Sequence, residues 1–237
     1  MNRLCLTIPL RLTDKIKRCY VYPNEKINIS NYIPDEFKEI LVGLLLGDGC
    51  IKMHGNLALL SIQQTDKELI DYLWNICNKY NIVKVKVKSL IRINNVTGKN
   101  KKIVYYFQSL TLPYFTAIYR EWYIYSKRKN KNIKIIPNEL EKYLTPLAIA
   151  HWVMGDGTFD KGKNQRIVLC TDCFTLDEVN ILSSILLEKY NIISRIKSAI
   201  YGKYLIHRIT MTGENRRKFH ELVTPFIILS LKYRIGL

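Results

Sequence analysis

Two stretches of this chain carry the same pattern: Leu41-Val-Gly-Leu-Leu-Leu-Gly-Asp-Gly49 and Ile149-Ala-His-Trp-Val-Met-Gly-Asp-Gly157, with their acids 108 positions apart. Each reads as an apolar helix that ends in one carboxylate followed by glycine. A helix apolar on every side must be buried, and two related halves can bury theirs against each other. Gly43 and Gly47 stand one turn apart on one face, and Gly155 matches Gly47 in the other copy, so small residues let the two backbones approach closely. Asp48 and Asp156 then meet at the bottom of one seam, a place suited to metal ions.

The duplication extends past the helices. Ile33-Pro-Asp-Glu-Phe37 echoes Ile136-Pro-Asn-Glu-Leu140, and Asn78-Lys-Tyr-Asn-Ile82 echoes Glu188-Lys-Tyr-Asn-Ile192. Four segments follow: an arm over 1–32, a first unit over 33–125, a basic linker over 126–135 and a second unit over 136–237. In the first unit, periodicity predicts a strand over 57–64 and a helix over 66–80. Strict alternation over 83–88 predicts a strand burying Val83, Val85 and Val87 and exposing Lys84, Lys86 and Lys88. A turn at 97–100, a strand over 103–112 and a helix opening at Pro113 complete the unit. The second unit predicts strands near 166–173, 192–200 and 204–212, with helices over 176–190 and 214–225. The fold class is α+β, with two antiparallel four-stranded sheets covered by helices on one face and polar on the other.

The open faces look basic. The 237 residues hold 37 Lys+Arg against 20 Asp+Glu, a formal charge of +17, and such a field serves a polyanion. Nucleic acid is the leading partner, ahead of an anionic membrane surface, and a strand ribbon fits the major groove of double-stranded DNA, with Lys84, Lys86, Lys88 and Arg92 on one sheet and Arg166, Arg195, Lys197 and Arg208 on the other. The six scattered cysteines read as reduced thiols. Cys170 and Cys173 have zinc-type spacing but no second pair nearby. No apolar run approaches the ~20 residues of a membrane span. The basic opening segment weakly resembles an organelle presequence, and a disordered arm is the alternative. Richness in Lys, Asn and Ile suggests an AT-rich genome, with a mitochondrial or other organelle setting favoured over a phage or bacterial one.

At the repeated motifs and their surroundings the chain resembles the LAGLIDADG homing endonucleases in their single-chain form, over about 33–233. The resemblance implies two pseudo-symmetric αββαββα units, motif helices packed at a pseudo-twofold axis, a saddle over a long DNA site, and action as a monomer. It implies that Asp48 and Asp156, with Gly47 and Gly155 beside them, bind Mg²⁺, with Mn²⁺ as a substitute. Each acid would then cut one strand, leaving short 3′ overhangs. It further implies a cation near each metal, Lys134 and Arg234, and a strand glutamine, Gln63, that positions water. Aligned through the Lys-Tyr-Asn-Ile repeat, the counterpart of Gln63 is Cys173, so the two sites are expected to be unequal. His151 stands where the first motif has Gly43 and predicts a wider or differently packed seam. Leu46 and Met154 replace the usual penultimate acid, which is not a metal ligand in the family. The alternative function is an intron-encoded maturase that binds its host intron RNA, with or without cutting.

Overall fold

The computed structural model describes residues 21–93, 101–202 and 204–237. The opening segment with Cys5 and Cys19, and the turn expected at 97–100, lie outside these residues. Part of the arm expected at 1–32 is ordered: α1 (Pro23–Asn31) is tied down by Lys26 Nζ on Thr111 Oγ1 (2.8 Å) and by the Ser30 hydroxyl, which accepts from the Tyr114 amide.

The first unit then runs α2 (Asp35–Leu46), β1 (Cys50–His54), β2 (Leu57–Gln64), α3 (Lys67–Lys79), β3 (Lys88–Ile93), β4 (Lys101–Gln108) and α4 (Pro113–Trp122). A short hairpin follows, β5 (Tyr123–Ser126) and β6 (Lys131–Lys134), and then a single-turn helix α5 (Leu140–Tyr143). The second unit is α6 (Pro146–Asp156), β7 (Gly157–Asp160), β8 (Arg166–Cys170), α7 (Leu176–Tyr190), β9 (Arg195–Tyr201), β10 (Tyr204–Met211) and α8 (Gly213–Val223). Two 3₁₀ segments, Thr224–Phe226 and Leu229–Ile235, close it. The sheets have matching strand order, β1-β2-β4-β3 and β7-β8-β10-β9, and every pairing is antiparallel.

Both motif helices are buried on every side, α2 from Ile40 to Leu46 and α6 from Ala148 to Gly155. α2 starts after Pro34 with Asp35 and Glu36 in its first turn, where carboxylates suit the positive end of the helix dipole. α6 starts at Pro146, and its N-cap hydroxyl, Thr145, accepts from the Ala148 amide. Their contact is tightest at Gly43, where an added Cβ would stand 2.1 Å from the Ala148 carbonyl oxygen and 2.8 Å from the His151 Cβ. The seam is therefore not widened by His151, because the bare backbone of Gly43 receives it. The imidazole leaves the seam sideways, stacks on Tyr72 at 5.8 Å and donates through Nδ1 to the Leu147 carbonyl (2.8 Å).

The glycine after each acid is needed for space. A Cβ at Gly49 would lie 2.6 Å from the Leu44 carbonyl oxygen, and one at Gly157 would lie 2.1 Å from Val153 Cγ2. Both chains fold back against the last turn of their own motif helix. The repeated Lys-Tyr-Asn-Ile has a structural cause as well. Asn81 and Asn191 end α3 and α7 with φ of 56° and 51°, the left-handed conformation that asparagine tolerates. The following Ile82 and Ile192 are buried and donate back to the carbonyls of Cys77 and Leu186.

Two sequence expectations need correction. The strand expected over 83–88 begins only at Lys88, and Val85 is 48% exposed. The Trp74 indole N–H takes the Val85 carbonyl (2.9 Å), and β3 pairs with β4 only from Lys88 opposite Tyr106 onward. The basic linker expected over 126–135 is largely the β5–β6 hairpin, paired from Tyr123 with Lys134 to Ser126 with Lys131. Its return strand carries Lys134 back to the ends of the motif helices.

Candidate active site

Asp48 and Asp156 sit where the two motif helices end, and close backbone packing sets their spacing. A Cβ built on Gly47 would lie 3.7 Å from the Asp156 Cβ, and one built on Gly155 would lie 3.6 Å from the Asp48 amide nitrogen. Asp48 is exposed and Asp156 half-buried. Burial and the facing Asp48 carboxylate push the Asp156 carboxyl up to about 7, against the pull of Lys134 and Arg234. Two carboxylates held this closely favour sharing a proton or a cation.

Lys134 and Arg234 play matching parts. Lys134 Nζ donates to the carbonyls of Leu45 (2.6 Å), Gly49 (2.9 Å) and Gly47 (3.3 Å). The Arg234 guanidinium donates to the carbonyls of Gly155 (2.9 Å) and Gly157 (3.1 Å). Each cation thus satisfies the unpaired carbonyls at the negative end of one motif helix and locks the turn bearing its acid. Desolvation lowers the Lys134 pKa, opposed by nearby acidic groups including both aspartates.

The glutamine that reaches the acid is Gln64, which donates from Nε2 to Asp48 Oδ2 (2.9 Å). Gln63, the residue expected from the sequence, points to the other side of the sheet and accepts from Arg92 (2.6 Å). The alternation of β2 explains the difference. Ala58, Leu60 and Ile62 are buried with the core, and Gln64 continues their side of the strand. The expected pairing of Gln63 with Cys173 is also displaced. Residues two past each acid, Cys50 and Thr158, stand opposite Ser61 and Val168, which makes Cys170 the counterpart of Gln63 and Thr171 that of Gln64. The second unit needs more residues between strand and helix, its N-cap being Thr175 where the first unit has Asp66. Thr171 is fully buried, and its hydroxyl donates to the His207 carbonyl. The two acids therefore have unlike neighbours.

His151 lies in the core, 1% exposed, and burial pushes its pKa down to about 4. It does not touch the acids. Tyr123 ties the hairpin root to β1, its hydroxyl accepting from the Ile51 amide (3.1 Å).

On the second sheet, strand registers put Arg166, Arg195, Lys197 and Arg208 on one open face. Arg208 holds Asp172 through two bonds, 2.7 and 2.6 Å, and Arg166 holds Asp160 at 2.7 Å. On the first sheet, Lys88 and Arg92 share the open side with Gln63. Lys84 and Lys86 do not join them. Lys84 turns toward Glu25 of α1 (4.0 Å), and Lys86 borders a pocket beside Trp74 and Tyr105, because residues 84–87 precede the strand.

Residues 38–219 match the model of the LAGLIDADG DNA endonuclease family. The chain belongs to this family. Among its relatives is the cytochrome b mRNA maturase bI2 of Saccharomyces cerevisiae, 34% identical over 83% of this chain and 46% of that protein. The chain thus spans less than half the length of that relative. The Debaryomyces hansenii protein of the same name is 30% identical over 95% of this chain and 82% of its own length. Among solved structures, the homing endonuclease I-WcaI bound to its DNA recognition sequence matches with a TM-score of 0.73 and 25% identity, covering 98% of this chain and 95% of that one. The architecture is the two-unit saddle of LAGLIDADG homing endonucleases.

Proposed function

We propose that this LAGLIDADG protein is a site-specific, metal-dependent endonuclease that cuts both strands of a long DNA site as a monomer, leaving short 3′ overhangs. The observation that carries this reading is the pairing of Asp48 and Asp156 at the seam, one from each unit, with an open basic sheet face in each unit. A pure binder gains nothing from two carboxylates held together where a phosphate backbone would pass.

The donor set fits Mg²⁺, or Mn²⁺ in its place. Burial first, and then the facing Asp48 carboxylate, raise the Asp156 pKa, and a hard cation would offset both by compensating the partly buried charge. Among the described residues no third His, Cys, Asp or Glu completes a cluster, so phosphate oxygens and water would supply the remaining ligands of a bound ion. The carbonyls of Gly47 and Gly155 each keep a second lone pair beyond their bonds to Lys134 and Arg234. A bound ion would activate water and stabilise the leaving oxygen. Asp48 and Asp156 hold the charge that recruits it, Lys134 and Arg234 fix the turns that carry them, and the Gln64 amide orients Asp48 and adjacent water. Lys88, Arg92, Arg195 and Lys197 contact phosphates and base edges, while Arg166 and Arg208 must exchange or share their acidic partners to do so.

A second reading, binding of a host intron RNA, is favoured by one observation: two relatives at 34% and 30% identity are named mRNA maturases. Their names also support an organelle setting. Incubating the chain with a randomised duplex library and Mg²⁺, then sequencing cut ends, tests the main reading. Recovery of one family of sites with 3′ overhangs, lost in excess chelator, is the expected result. A library left uncut, with the same protein retaining its intron RNA on a filter, would move the chain to the second reading.

A further inference from the structure

The lysines that fail to join β3 border a second candidate site. Between α3 and the leading edge of β3 is an open pocket of about 430 Å³, within the roughly 300–1,000 Å³ typical of small-ligand sites. Trp74 of α3 and Tyr105 of β4 line it, and Lys67, Lys86 and Lys88 surround it. Asp71 also lines it, but its carboxylate is paired with Lys67, so Lys86 leaves the lining positive, while the Lys88 side chain lies on the open side of the sheet. The indole bond to the Val85 carbonyl anchors Trp74 while its side chain stays half-exposed. Tyr105 lies on the same side of the sheet as Gln64, toward α3 and away from the open face.

We propose that this pocket takes an unstacked nucleotide from a single-stranded polynucleotide, with its base against Trp74 and Tyr105 and its phosphate at Lys86, beside the Lys67–Asp71 pair. Aromatic faces with adjacent cations are the chemistry that holds unpaired bases without regard to sequence. A base stacked and paired inside a duplex cannot enter a recess between a helix and a strand edge. The site goes beyond the cleavage reading, since it opens between α3 and the leading edge of β3 and uses neither aspartate. An RNA loop and a displaced DNA strand offer the same chemistry.

Intrinsic fluorescence tests the proposal on the whole chain. There are three tryptophans, and Trp122 and Trp152 are only 2% and 0% exposed, so quenching by an added base reports on Trp74. An adenosine RNA hexamer and its DNA equivalent are titrated beside a duplex, with total binding followed by anisotropy. Quenching by RNA alone assigns the pocket to RNA, and equal quenching by both single strands assigns it to any unpaired strand. Either supports the site. Lys86→Gln keeps the reporter, and it should raise the hexamer Kd at least threefold and lower the salt slope by about 0.7, one phosphate contact. Trp74→Phe should remove the quenching and weaken binding severalfold. Saturated hexamer binding without quenching, equal quenching by duplex, or an unchanged Kd in Lys86→Gln would each overturn the proposal.

Discussion

Replacing Gly43 by Ala tests whether backbone contact at the seam sets the spacing of the acids. The added methyl would stand 2.1 Å from the Ala148 carbonyl oxygen and 2.9 Å from its carbonyl carbon, both backbone atoms, and 2.8 Å from the His151 Cβ. No flexible side chain end can move aside, so α2 and α6 must part by about 1 Å. Overpacking of this kind costs about 1–3 kcal/mol, offset by the gain of about 0.8–1 kcal/mol when Ala replaces Gly in a helix. Gly155→Ala is the internal control. Its methyl meets only the Asp48 nitrogen at 3.6 Å and the Gly47 Cα at 4.0 Å, ordinary contacts, so the helix gain should survive. Thermal unfolding should show Gly43→Ala melting below wild type and Gly155→Ala at or above it, with 1 kcal/mol equal to about 2–4 °C at this size. Gly43→Ala should also slow cleavage of bound DNA, because parting the helices separates Asp48 from Asp156. A Gly43→Ala protein as stable and active as wild type, or a Gly155→Ala protein damaged equally, would show that backbone contact at Gly43 does not space the acids.

His151 gives a pH signature. Its pKa is about 4 in the fold and about 6.5 unfolded, so the unfolded chain binds the extra proton between these values. Stability from this group is full above pH 6.5 and falls by up to about 3 kcal/mol as pH drops toward 4. Denaturant titrations of His151→Gln should show a flatter acid limb than wild type, and parallel curves would exclude the assignment. Replacing Lys134 or Arg234 by Met leaves helix-end carbonyls unpaired and should cost about 1–3 kcal/mol each. Each change should also slow one strand more than the other, so that nicked plasmid accumulates; equal slowing of both end-labelled strands would demote them to general phosphate contacts. Gln64→Leu should impair the cut served by Asp48, whereas Gln63→Leu should alter binding near Arg92. Strand-resolved rates and Kd values for the two variants check this, and the reverse pattern would return Gln63 to the acid.

The motif duplication was legible because it is written in residue types with one physical use each: apolar helix, acid, and a glycine where no Cβ fits. Lys134 and Arg234 were named from the sequence only through the resemblance, and their bonds to the carbonyls around each acid were not legible, since these depend on how the hairpin and the C-terminal 3₁₀ segment fold back. Alternation misled at residues 83–88, where one tertiary bond from Trp74 takes a carbonyl out of the ladder. The Gln63 expectation overlooked the signal in Leu60 and Ile62, whose burial fixes the side that Gln64 faces. The match of Gln63 to Cys173 failed because a helix cap was used to align strands across a loop of different length. Which cations stay unpaired was illegible, because Asp172 and Asp160 approach Arg208 and Arg166 only in the fold.

In the proposed mechanism Asp48 and Asp156 each direct one cut. On a target recovered from the library, Asp48→Asn and Asp156→Asn keep the shape of the side chain and remove its charge. Strand-resolved cleavage in Mg²⁺, measured beside the Kd in Ca²⁺, should show near-wild-type binding and no linear product for either variant. A variant of either acid that linearised the target at the wild-type rate would contradict the account.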